Sequence, residues 1–145
     1  MTIAEYTRMA VEAENRIYEI AEYVVSDPEF RAAMLNMERS RLKEGERADG
    51  TVIEPPYTLF TIMVKERKGQ PTDRVTLFDT GDFYGAFTAE ASGDTLFLSS
   101  SDWKTEKLER KYGEAIFGLT DEDKEKLRAM SVAIIRRWFN ENNLI

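Results

Sequence analysis

The apolar spacing of this chain predicts an α+β fold, with N-terminal helices and a long C-terminal helix packed on a small, mainly antiparallel sheet. Three observations carry that expectation. Ile3, Tyr6, Ala10, Ala13, Ile17, Ile20 and Val24 recur at alternating intervals of three and four, the stripe of an amphipathic helix. Residues 88–91 and 95–99 flank Ser92-Gly93-Asp94, the layout of a β-hairpin. Thr120, followed by Asp121, Glu122 and Asp123, opens a long periodic run, a capping hydroxyl with a negative first turn.

In chain order, the first stripe reads as one core-facing helix up to about Val24; a short coiled coil has the same spacing. Ser26-Asp27-Pro28-Glu29 ends it and starts a second helix over about 28–43, since Asp27 can cap and Pro28 suits the first helical position. Phe30, Ala33, Met34 and Met37 form its inner stripe, and Arg39, Arg41, Lys43 and Arg47 gather where cations favour the helix dipole. Residues 45–57 read as a loop. Residues 57–65 fit either a strand or a helix with Leu59, Ile62 and Met63 on one face. A polar loop over 65–74 leads to a strand at 75–78. Beyond the hairpin, 106–112 suits a short helix stopped by Gly113. The last helix, about 121–141, buries Leu127, Met130, Ile134 and Trp138. The whole is expected to form one domain over 1–145: a helical part at 1–44, a sheet-containing middle at 45–119 and a terminal helix at 120–145.

Composition narrows the chemistry. The 145 residues carry a net charge of −7 with the acid excess spread over both halves, which argues against nucleic acid as the main ligand. The chain has neither Cys nor His. Disulfides, thiolate metal sites, cysteine nucleophiles and His-assisted triads therefore drop out. An all-oxygen metal site is the remaining kind, and no cofactor is expected. No apolar run approaches a membrane span and the first residues lack a signal-peptide core, so a soluble protein made in the cytoplasm is expected.

Val75 through Phe87 organises the middle of the chain. An apolar run meets Asp79-Thr80-Gly81-Asp82, where glycine and side-chain acceptors favour a turn. Phe83, Tyr84 and Phe87 follow. With Trp103 they are the interface candidates, and filling the core is the competing role for Phe83 and Phe87. An Asp79–Asp82 cation site lacks the usual count of oxygen ligands.

Two families resemble parts of this pattern. Apolar strand plus Asp79-Thr80-Gly81, with Ile116-Phe117-Gly118 before a helix, resembles retroviral-type aspartic proteases, which implies a shared-proton carboxylate pair at Asp79 of a homodimer. That family's fold is nearly all strand, and Asp82 stands where it has a small residue. Over about 45–130 the order of features resembles phage head–tail connector and tail-completion (virion morphogenesis) proteins. The features are Gly45 and Asp49-Gly50, then 57–65, then Leu77-Phe78-Asp79-Thr80-Gly81-Asp82-Phe83. The hairpin and Ile116-Phe117-Gly118-Leu119-Thr120-Asp121-Glu122-Asp123 complete it. Asp82 replaces the basic residue that family carries after its Thr-Gly. The second resemblance implies a non-enzymatic virion subunit, a ring or collar of copies meeting portal, capsid or tail proteins. It is the leading expectation. A small bacterial interaction module comes second and the protease third.

Overall fold

The computed structural model describes residues 1–144 and has the expected α+β class. The elements run α1 (Ile3–Asn15), α2 (Ile17–Ser26), α3 (Pro28–Lys43), α4 (Leu59–Arg67), α5 (Asp82–Gly85), β1 (Phe87–Ser92), β2 (Thr95–Ser100) and α6 (Thr105–Tyr112). A 3₁₀ turn (Glu114–Ile116) and α7 (Asp121–Glu141) complete the chain.

Local signals placed several boundaries as expected. The Asp27 carboxylate accepts from Phe30 N at 3.0 Å with Pro28 in the first helical turn, and the Thr120 hydroxyl accepts from Asp123 N at 3.1 Å. β1 and β2 pair antiparallel, Phe87 opposite Ser100 and Ser92 opposite Thr95. This hairpin is the whole sheet among the described residues.

Two expectations fail and one open reading is settled. The first stripe is two helices, broken at Arg16 (φ −114°, ψ 24°). The Arg16 guanidinium binds Glu19 at 2.6 Å and Asn142 at 2.7 Å and lies 4.7 Å from the Trp138 ring centre, so the break seats a cation against the end of α7. Only Ile20 and Val24 of that stripe are buried; α1 buries nothing. Residues 75–78 are not a strand. Their backbone polar groups find side chains in place of a ladder: Thr76 N donates to the Tyr57 hydroxyl at 2.9 Å and the Tyr84 hydroxyl donates to Thr76 O. Leu77 takes φ 58°, which no regular strand allows. The ambiguous stretch at 57–65 is helical from Leu59, where the Thr58 hydroxyl caps Thr61 N at 3.3 Å.

Two apolar clusters form the interior. One joins α2, α3, β1 and α7 through Ile20, Met34, Ala89, Ile134 and Trp138. The other gathers Leu42, Ile53, Val75, Phe83, Tyr84, Phe87 and Ile116. Leu35 packs against both, and β1 feeds Phe87 to the second and Ala89 to the first.

Between these clusters, Glu38 on α3 is fully buried. Its Oε1 accepts from Gly118 N at 3.1 Å and its Oε2 has no protein partner. Burial pushes its carboxyl up to about 7, opposed by the Gly118 hydrogen bond and by Arg41. The buried Arg41 guanidinium donates to the carbonyls of Ile116, Gly118 and Glu46. Together the two side chains lock the 116–118 connector onto α3.

Candidate assembly surface

The turn comes first. Gly81 adopts φ 92°, a left-handed geometry that glycine takes at little cost, and Asp82 opens the single turn α5. Asp82 N donates to the Thr80 hydroxyl at 3.3 Å. The half-exposed Asp79 carboxylate accepts from the Lys68 ammonium at the end of α4. That hydrogen bond, with the fields of Lys68, Lys65 and Lys104, holds its carboxyl below the usual range. Asp79 is thus an ionised partner of α4. Among the described residues no three Asp or Glu side chains stand close enough to hold a metal ion. Among the described residues, seven α-helices and a single hairpin also differ from the nearly all-strand fold that the protease resemblance implies.

Three of the four interface candidates are spoken for by the interior. Phe83, Tyr84 and Phe87 are buried. Phe83 meets Phe87 edge-on at 5.1 Å, Tyr84 meets Phe78 at 5.3 Å, and Phe117 stands 5.8 Å from Phe83. The backbone of this segment is tied as well. Arg39 donates twice to Tyr84 O at 3.0 and 3.1 Å, and the Ser100 hydroxyl donates to Phe83 O at 3.0 Å. Their side chains are core, because α5 and β1 turn them between Leu42, Ile53 and Ile116. Trp103 differs: it is 84% exposed, next to Lys104 in the turn that leads into α6.

The surface that the sequence reading missed is α4. Its outward face carries Leu59, Phe60 and Met63, respectively 81%, 75% and 55% exposed. Its one buried residue is a lysine. The Lys65 ammonium donates to Phe78 O at 2.6 Å and to Gln70 Oε1 at 3.3 Å, and lies 4.8 Å from the centre of the Tyr57 ring. Gln70 in turn donates to Asp79 O at 2.7 Å. A charged group in the interior persists when hydrogen bonds replace its water, and here those bonds fix which side of α4 faces in. Leu59 and Met63 do share one face, as their spacing indicates, but it is the wet one, with Ile62 half-buried on the other. Glu66 and Arg67 follow at the C-terminal end of α4, and Lys68 just beyond them is held by Asp79.

A second apolar feature lies at the other end of the hairpin. Ile17, Tyr18, Ala21 and Val25 of α2 face Ala91 and Leu96 across a cleft of about 200 Å³, with Asp94 of the hairpin turn on its rim. Glu22, exposed on α2 one turn beyond Tyr18, adds a second negative charge nearby. No family model, no curated protein and no solved structure matches this chain.

Proposed function

We propose that the chain is a structural, non-enzymatic subunit of a tailed-phage virion, a head–tail connector or tail-completion protein that assembles with copies of itself into a ring or collar. Its neighbours would be portal, capsid or tail proteins, and it would reach the virion after synthesis in the cytoplasm of a bacterial host. The single observation that supports assembly is the outward face of α4. Three large apolar side chains project side by side into water from a helix whose inner side is pinned by Lys65. Scattered surface apolar residues are ordinary, whereas a contiguous set marks a contact site. The virion setting rests on the order of sequence features from Gly45 to Asp123.

Light scattering on the purified chain and on Asp79→Asn, with a peptidase assay alongside, tests the reading. We expect a mass that rises above the 16.7 kDa of one chain as concentration increases, the same behaviour in the variant, and no peptide cleavage by either. A stable dimer whose cleavage activity disappears in Asp79→Asn would overturn it in favour of the aspartic protease. A monomer at every concentration would instead favour an interaction module that uses α4 on a different protein.

A further inference from the structure

We infer that Glu38 is a proton-operated latch on the connector into α7. With its carboxyl protonated, residues 117–120 stay closed on α3; its ionisation lets them open locally while the rest of the fold stays intact. The latch stands independently of the assembly reading.

The carboxyl itself is the first observation. Glu38 is fully buried, its Oε1 has one hydrogen bond, from Gly118 N, and its Oε2 has no protein partner. A carboxylate so placed has lost its water and recovered a single donor, whereas the neutral acid loses far less. The cations on its own helix are directed elsewhere. Arg41 donates to the carbonyls of Glu46, Gly118 and Ile116, and Arg39 to Tyr84 O and Asn36 Oδ1. Around Arg41 stand Asp123 of α7, Glu46 of the loop after α3, and Tyr84 of α5, whose hydroxyl burial keeps protonated. From α2 and β1 the neighbouring clusters receive apolar side chains: Ile20, Val24, Phe87 and Ala89.

The second observation is how the connector is held. The 3₁₀ turn ends with Phe117 N on Glu114 O at 3.1 Å, and α7 begins with Asp123 N on the Thr120 hydroxyl at 3.1 Å. The stretch between them is fastened to α3 by the side chains of Glu38 and Arg41. Ile116 is fully buried, whereas residues 117–120 are only half-buried, so a small outward movement there brings water to the carboxyl. Gly118, at φ 128°, is a natural pivot for it.

The direction follows from linkage. Closed, burial raises the carboxyl from the ordinary 4.5 to about 7; opened to water, it returns toward the ordinary value. The closed form therefore holds its proton more tightly, and removing that proton favours opening. The opening constant should rise as pH climbs from about 4.5 and level off above about 7, by at most about 300-fold.

Amide exchange of the full chain, followed residue by residue across this range and corrected for the intrinsic base-catalysed rate, tests the latch. We expect the protection of Gly118 to fall with pH by up to about 300-fold and to lie below that of Leu42 in the core at every pH. In Glu38→Gln, which stays neutral and keeps an acceptor for Gly118 N, the fall should vanish. Wild type carries a second readout that needs no variant. Local opening exposes little surface, so low urea should leave Gly118 exchange unchanged while it accelerates Leu42. A pH-independent Gly118, the same slope in Glu38→Gln, or Gly118 responding to urea as Leu42 does would each overturn the latch.

Discussion

Residues 83–85 and residues 59–63 are both short, aromatic-containing apolar helical segments, yet one lies in the core and the other in water. The difference lies in what holds their backbones. Around Phe83 and Tyr84, Arg39 and Ser100 take the carbonyls, the Tyr84 hydroxyl takes Thr76 O, and three Phe rings close the packing. On α4 the inward position is taken by Lys65, bound to Phe78 O. Apolarity sets how much surface is available to bury, while polar anchors decide which side is buried against the chain itself.

Breaking the two segments should therefore cost very different amounts. Phe83→Ala empties a packed site and should lower unfolding free energy by about 3–5 kcal/mol in a urea titration. Phe60→Ser, on the outward face, should change it by no more than about 0.5 kcal/mol. Equal losses for the two would mean that α4 is packed inward in solution.

The Glu38 carboxyl sharpens the same contrast from the polar side. Its affinity for a proton is higher folded than unfolded, so between the ordinary 4.5 and about 7 the folded chain holds a proton that the unfolded chain has released. Stability from this group is complete below pH 4.5, falls as pH rises to about 7, and is lost above it. The fall should be at most about 3 kcal/mol. Glu38→Gln, which keeps the acceptor for Gly118 N, should flatten that slope in urea titrations across the range; an unchanged slope would locate the pH dependence elsewhere.

Tyr84→Phe removes the one hydroxyl that satisfies Thr76 O and should cost about 1–3 kcal/mol, with faster amide exchange around Thr76 as the local readout. Asp79→Asn should also cost little. Its ion pair with Lys68 is well exposed on both sides, and such pairs contribute about 0–1 kcal/mol.

These results also bear on what could be read from the chain alone. α3, α7 and the hairpin were legible because their boundaries are set by neighbours in sequence: Asp27 and Pro28, Thr120, Gly93. Residues 75–78 were not, because Val-Thr-Leu-Phe has strand composition and its actual partners are the hydroxyls of Tyr57 and Tyr84, side chains that no local turn or capping signal announces. The break at Arg16 is likewise set by a distant element, through Asn142 and Trp138 on the far side of the chain. At the candidate site, Trp103 was legible from its polar surroundings. Phe83, Tyr84 and Phe87 were interface candidates, with core filling as the competing role for Phe83 and Phe87, and all three are buried. The α4 patch was not legible because the spacing of Leu59, Ile62 and Met63 indicates a shared face without saying whether it is buried, and Lys65 gives no local sign that it faces inward.

The central claim, that α4 is left exposed in order to meet another copy of the chain, is tested most directly by sedimentation of wild type beside Phe60→Asp over a rising concentration series. We expect wild type to move from 16.7 kDa toward larger species while the variant remains a monomer of unchanged melting temperature. Wild type and variant sedimenting alike throughout the series would contradict it.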